Sequence, residues 1–233
     1  MVKNHMKRIT APKTWNVQRK TSKFITKPSP GAHTLDRSLS INTFFKELVN
    51  LTNTTKETKF VLTNDEVLVN NRRRRDFKAQ VGFLDIVHVK SSKKNFLLTV
   101  DNKGALLAKE VNEKQASSRL LKIRGKKVLG KDVVQVNTLS GENLLVSEKE
   151  AKKYGVGDSL IVDSASLKVI EHIPFKQGAL VFVYIGKHSS KSGVLESLNE
   201  KIVLIKSDKE SFETSKDYLL AVNKEKLAEL EQK

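Results

Sequence analysis

From Asn95 onward, apolar residues come only in short segments separated by turn chemistry, and this limits the second half of the chain to a many-stranded β architecture. The segments Phe96–Val100, Ala105–Ala108, Leu120–Ile123, Val133–Val136, Leu144–Val146 and Leu160–Val162 have strand length. Asp101-Asn102-Lys103-Gly104, Ser140-Gly141 and Tyr154-Gly155-Val156-Gly157-Asp158 supply the turns between them. Glu148–Lys153 predicts a helical turn. After Pro174 the spacing tightens, with Ala179–Ile185, Gly193–Leu198, Ile202–Ile205, Phe212–Thr214 and Tyr218–Val222 as strands. That is the pattern of a compact SH3-like barrel. Glu225–Gln232 predicts a short terminal helix with Leu227 and Leu230 on one side.

The first half reads differently. Ile41, Phe44, Phe45, Leu48 and Leu51 recur at helical spacing behind Ser40, a residue suited to capping. A second short helix is expected over Lys56–Leu62, with Phe60 and Val61 facing inward. Val67 and Val69 alternate as a strand, and Asn70-Asn71 is hairpin chemistry because Asn tolerates positive φ. Val81–Val89 returns as a strand carrying Asp85. The fold class expected is therefore α+β, mostly β. Its segments are a basic arm (1–37), a helix–helix–hairpin domain (38–92), a central β domain (93–173), a C-terminal barrel (174–223) and a terminal helix (224–233).

Charge narrows the function. The 233 residues carry a formal net charge of +17. Lys3, Lys7, Arg8, Lys13, Arg19, Lys20, Lys23 and Lys27 precede the first acid, Asp36. So lopsided a segment repels itself and favours an anionic surface, and nucleic acid offers one in its regularly spaced phosphates. With Trp15 among its lysines, the arm is expected to be disordered when free and ordered on its partner. Arg72–Arg75 is the sharpest local feature. Four arginines on a strand would point to both faces, so they are expected in the hairpin loop, gripping phosphate oxygens. Lys56, Lys59 and Lys78 flank them, and Gly186-Lys187-His188-Ser189-Ser190-Lys191-Ser192-Gly193 forms a second basic loop. With aromatic content of only 6%, a base-stacking platform of the kind that reads single strands is not suggested.

Several classes fall away. With no cysteine there are no disulfides, thiolate metal sites or thiol catalysis. His5, His33, His88, His172 and His188 lack ligand spacing, so neither metal nor cofactor is expected. Gly155-Val156-Gly157 lacks the third glycine of a dinucleotide fingerprint, and no catalytic constellation can be assembled. No apolar run reaches the roughly 18 residues that span a bilayer, and with neither a strongly amphipathic basic helix nor a lipid site in view no membrane partner is expected, nor, with no catalytic constellation, a small-molecule substrate.

Taken in order, the motifs resemble one family. His5-Met6-Lys7-Arg8-Ile9-Thr10-Ala11-Pro12-Lys13-Thr14-Trp15 is similar to the N-terminal signature of small-subunit ribosomal protein four of the archaeal and eukaryotic type. Pro28-Ser29-Pro30-Gly31-Ala32-His33 resembles its Pro-rich connection. Val67–Asp76 with Val81–Val87 resembles its helix–helix–hairpin RNA-binding motif, and Pro174–Val181 with Gly186 and Gly193 its KOW module. Asn71 stands where the family's hairpin usually has glycine, and Asp36 where it tends to be basic. The resemblance implies a non-catalytic constituent of the small ribosomal subunit in the cytoplasm, in contact with ribosomal RNA and neighbouring ribosomal proteins, with roles in subunit assembly and translation. On this reading the RNA-binding residues are Lys3, His5, Lys7, Arg8, Lys13, Trp15, Arg19, Lys20, Lys56, Lys59, Arg72, Arg73, Arg74, Arg75, Lys78, Lys187, His188 and Lys191. An RNA-modifying enzyme sharing the hairpin motif, or a KOW-type transcription or translation factor, is the alternative.

Overall fold

The structure is a computed structural model and describes residues 5–130, 132–199, 202–207 and 210–231. The chain forms two compact units, Met1–Thr99 with Ala105–Ala116, and Val100–Gly104 with Ser117–Lys233. Both are built mainly from antiparallel strands, so the molecule is α+β and mostly β.

The first unit opens with a small ribbon, β1 (Met6–Lys7) against β2 (Phe24–Ile25). Next come β3 (Ser38–Ser40), α1 (Ile41–Thr43) running into a π-helical turn at Phe44–Leu48, and α2 (Thr55–Asn64). Ser40 caps α1 by accepting from Thr43 N–H at 3.2 Å. Thr54 and Glu57 close a reciprocal capping box on α2, which fixes its start one residue before the expected Lys56. β4 (Val67–Val69), β5 (Arg72–Arg73), β6 (Gln80–Gly82), β7 (Ile86–Val89), β8 (Lys94–Val100), β9 (Leu106–Val111) and α3 (Glu113–Ala116) complete the unit. The main sheet has the order β5-β4-β7-β8-β9, and β3 pairs separately with β6. Leu39, Ile41, Phe44, Phe45, Leu62, Val67, Val81, Val87 and Leu98 form a fully buried core.

Three expectations need correction here. Phe60 is 68% exposed, because Thr58 and Leu62 hold the inward face of α2 and residues two apart on a helix point nearly opposite ways. The Val81–Val89 strand is broken into β6 and β7 by a turn in which Leu84 has φ 68°. Strands β8 and β9, assigned by sequence to a central domain beginning at residue 93, pair into the first unit's sheet.

The second unit holds two five-stranded antiparallel sheets. One is built from β10 (Ser118–Val128), β11 (Val133–Thr138), β12 (Asn143–Ser147), β13 (Ser159–Asp163) and β14 (Val169–Ile173), in the order β12-β11-β10-β13-β14. α4 (Glu148–Ala151) is the expected helical turn between strands. Leu121, Ile123, Val136, Leu144, Leu160 and Val162 pack as its core. The other sheet contains β15 (Leu180–Val183), β16 (Ser192–Leu198), β17 (Ile202–Lys206), β18 (Ser211–Ser215) and β19 (Leu219–Ala221), in the order β18-β17-β16-β15-β19. α5 (Lys224–Leu230) follows it.

Asp158 is the polar anchor of this unit. It accepts from Gly155 N–H at 2.6 Å, Phe175 N–H at 2.8 Å and His172 Nε2 at 2.7 Å. Burial pushes its carboxyl upward, but the bonds from Phe175, His172 and Gly155 together outweigh that and hold it below the usual carboxylate range.

Candidate nucleic-acid interface

The hairpin is the best-built part of the candidate site. Asn70 and Asn71 take φ of 52° and 62°, a left-handed pair that matches a two-residue hairpin turn. Asn therefore serves at position 71, where the resemblance led one to expect glycine. The turn is held from below. Asn70 Nδ2 donates to Asp85 Oδ1 at 2.7 Å, and Asn70 Oδ1 accepts from Ile86 N–H at 3.0 Å. Asp85 is 3% exposed and also accepts from Gly82 N–H at 2.7 Å, while His33 Nε2 lies 3.1 Å away. A Cβ on Gly82 would fall 2.2 Å from the His33 ring, so only glycine lets that imidazole approach. Asp85 sits in the turn before β7 rather than inside a strand, and its contacts tie the hairpin turn to the arm's His33.

The hairpin then presents the arginines. Arg72 and Arg73 form β5, paired with Val69 and Leu68, and Arg74 and Arg75 continue beyond it. This corrects the expected loop placement. Arg72 and Arg73 on the edge strand β5, and Arg74 and Arg75 beyond it, are all exposed. On α2, Lys56 and Lys59 are exposed. Phe77 gathers two of the expected cations, with Lys59 Nζ 4.6 Å and Lys78 Nζ 5.7 Å from its ring centroid. Sequence reasoning missed Phe77 and the exposed Phe60, although both are aromatics placed among lysines.

The arm, expected to be disordered until it meets its partner, is folded within the first unit. Trp15 is 2% exposed, donates its indole N–H to Leu35 O at 3.2 Å and bridges to Leu106. Arg8 is 5% exposed; it pairs with Glu47 Oε1 at 2.7 Å and donates Nε–H to Gln18 O. Arg19 clasps the carbonyls of Ile9, Ala11 and Pro12 at 3.2, 2.8 and 2.9 Å. These three expected RNA ligands face the protein, because a buried indole and internal acceptors are available within the unit. His5, Lys7, Lys13 and Lys20 are exposed. Lys3 lies outside the described residues.

In the second unit Lys187 is exposed, His188 stacks on Phe212 at 4.4 Å, and Lys191 pairs with Glu210 at 3.3 Å. Gly186 has φ 95°, and a Cβ on Gly193 would lie 2.6 Å from Lys206 O, so both glycines answer backbone demands. Other cations are spent inside. Arg119 pairs with Glu142 at 2.6 Å, and Lys122 Nζ donates to Asp217 O at 2.9 Å.

The class defined by these features is a strongly basic, β-rich protein with an exposed arginine edge strand and its remaining basic side chains divided between internal ties and solvent. Residues 2–36 match the RS4NT (NUC023) domain, and residues 92–169 match ribosomal family S4e. The small ribosomal subunit protein eS4 of Methanospirillum hungatei is 34% identical over 95% of this chain and 95% of its own. That of Methanosphaera stadtmanae is 31% identical over 96% and 94%. The crystal structure of the 30S ribosomal protein S4e from Thermoplasma acidophilum superposes with a TM-score of 0.70 at 24% identity, covering 82% of this chain and 97% of that one. The chain belongs to the S4e family of ribosomal proteins.

Proposed function

We propose that this chain is a structural constituent of the small ribosomal subunit, binding ribosomal RNA and neighbouring subunit proteins in the cytoplasmic ribosome. The observation that carries the reading is the similarity to eS4 proteins along nearly the whole length of both chains. The physical arrangement supports it. Arg72–Arg75 on and just beyond an edge strand, Lys59 and Lys78 around Phe77, and the exposed Lys56, His5, Lys7, Lys13 and Lys20 can meet phosphates without reading base edges. Lys187, His188 and Lys191 supply a further contact loop. Arg8, Arg19 and Trp15 shape the surface from within. The C-terminal sheet is read as a KOW-type SH3-like barrel, on its strand pattern and its two constrained glycines. No turnover belongs to this reading.

The test is sedimentation of an epitope-tagged chain through sucrose gradients after a high-salt wash. It is expected to travel with small subunits at unit stoichiometry. Release into the free-protein fractions would refute the reading. Modified or cleaved RNA in stoichiometric excess over purified protein, seen by mass spectrometry, would favour the enzyme alternative.

A further inference from the structure

The ribbon at the start of the chain carries an aromatic on the wrong side for packing. Met6 pairs with Ile25 and Lys7 with Phe24, and directly opposed residues share a face while successive ones alternate. Met6 is 9% exposed and Ile25 is half-buried, so that pair faces inward. Lys7 and Phe24 therefore face outward, and Phe24 is 49% exposed. An aromatic ring in that position adds little to folding. Two polar side chains attend it. The His5 ring meets it edge-on at 5.5 Å and 90°, and Lys23 Nζ lies 5.6 Å from its centroid.

The electrostatic setting is one-sided. No carboxylate occurs in the sequence before Asp36, and Glu47, an acid that reaches the arm, is occupied by Arg8. A ligand for this face must therefore offer a flat apolar surface and negative charge within a few ångströms of each other. An unpaired nucleotide has both. Resting on the RNA-binding reading above, we infer that Phe24, with His5, Lys7 and Lys23, forms a stacking site for one unpaired nucleobase of RNA. The base lies on the exposed ring of Phe24 and its flanking phosphates meet Lys7 and Lys23. The Lys23 ammonium, on a flexible stem, moves from the ring to the phosphate. A paired base cannot enter, because its faces are covered within the helix. The site thus selects a bulge, loop or single strand without selecting its sequence, as stacking does.

The experiment measures binding of the full chain to a 12-nucleotide single-stranded RNA and to a 12-base-pair duplex, by fluorescence anisotropy over a range of salt. Phe24→Ala should weaken single-strand binding by roughly five- to hundredfold, the range that loss of one stacked base produces. Its salt dependence and its duplex affinity should stay at wild-type values. Phe24→Tyr should retain affinity, and an unchanged melting temperature in both variants would confirm that the exposed site is not a folding element. Equal loss on both RNAs would overturn the inference, and so would no loss on either, which would turn Phe24 toward a protein partner. Wild-type protein that binds neither RNA would sink the RNA-binding reading along with it.

Discussion

Arg8→Ala tests whether the arm is docked by its own side chains before any RNA arrives. Arg8 is 5% exposed, and its guanidinium pairs with Glu47 at 2.7 Å and donates to Gln18 O, with Ser22 Oγ at 3.4 Å. Removing one member of a fully buried pair costs about 3–5 kcal/mol, chiefly because the other is left charged and unpaired. The Glu47 side chain keeps 21% of its surface in contact with water, so part of that cost is relieved and about 2 kcal/mol remains. Trp15 still contributes; truncating a buried tryptophan costs about 3–5 kcal/mol. The arm should therefore open more often in the variant without leaving altogether. Native-state amide exchange on the RNA-free protein is the assay. The reporting amides are Arg8 N–H on Lys23 O at 3.0 Å, Ala11 N–H on Arg8 O at 3.2 Å and Val17 N–H on Trp15 O at 2.9 Å. Their protection should fall roughly 30-fold for 2 kcal/mol of docking energy. Asn70 N–H on Ile86 O, within the hairpin, should keep its protection. Unprotected arm amides in the wild type, or equal protection in both proteins, would refute the reasoning.

Replacing Arg72–Arg75 with serine should weaken RNA binding across unrelated sequences and reduce the log–log salt slope by roughly 0.7–0.9 for each phosphate no longer neutralised; an unchanged slope would place all four in solvent. Gly193→Val should lower the urea midpoint, because its Cβ would meet Lys206 O and Ile205 Cγ2 at 2.6 Å; overpacking of this kind costs about 1–3 kcal/mol, and a wild-type midpoint would disprove the close approach. Asp158→Ala should cost about 1–3 kcal/mol at neutral pH by stranding the buried Phe175 N–H, read from denaturant midpoints. Since the folded carboxyl titrates below its unfolded value of about 3.9, the charge-dependent part of that cost is full above pH 4 to 5 and disappears as pH falls through the lower folded value. A wild-type–variant difference that grows with acidity would contradict this sign.

Local chemistry carried much of the fold into the sequence. The Asn70-Asn71 turn was readable because few residues accept two consecutive positive φ values, and Ser40 was readable because a hydroxyl caps through its own neighbour. Phe60 was misread because hydrophobicity was allowed to stand for direction, whereas α2 is oriented by Thr58 and Leu62. The arginine run was misplaced because its strand is only two residues long and both are exposed, so the expectation that a strand must bury one face did not apply. The arm was the largest miss. Its charge was legible, but the acceptors that satisfy Arg8 and Arg19 include Glu47 and four carbonyls, and nothing local in the sequence announces these partners. The Phe24 face was hidden for a related reason, since a two-residue ribbon is too short to show alternation.

Burial of the chain's single tryptophan gives it a built-in optical reporter. Trp15 alone among 233 residues emits as an indole, and its ring is 2% exposed with its N–H held by Leu35 O. Intrinsic emission excited beyond the three tyrosines therefore senses one event, the seating of residues 5–35 on the first unit, and ignores the β-sheets of the second. During denaturant titration, a red shift that precedes the loss of far-ultraviolet β signal would mark detachment of the arm as a separate step. Coincident curves would mean that the arm and the sheets melt as one.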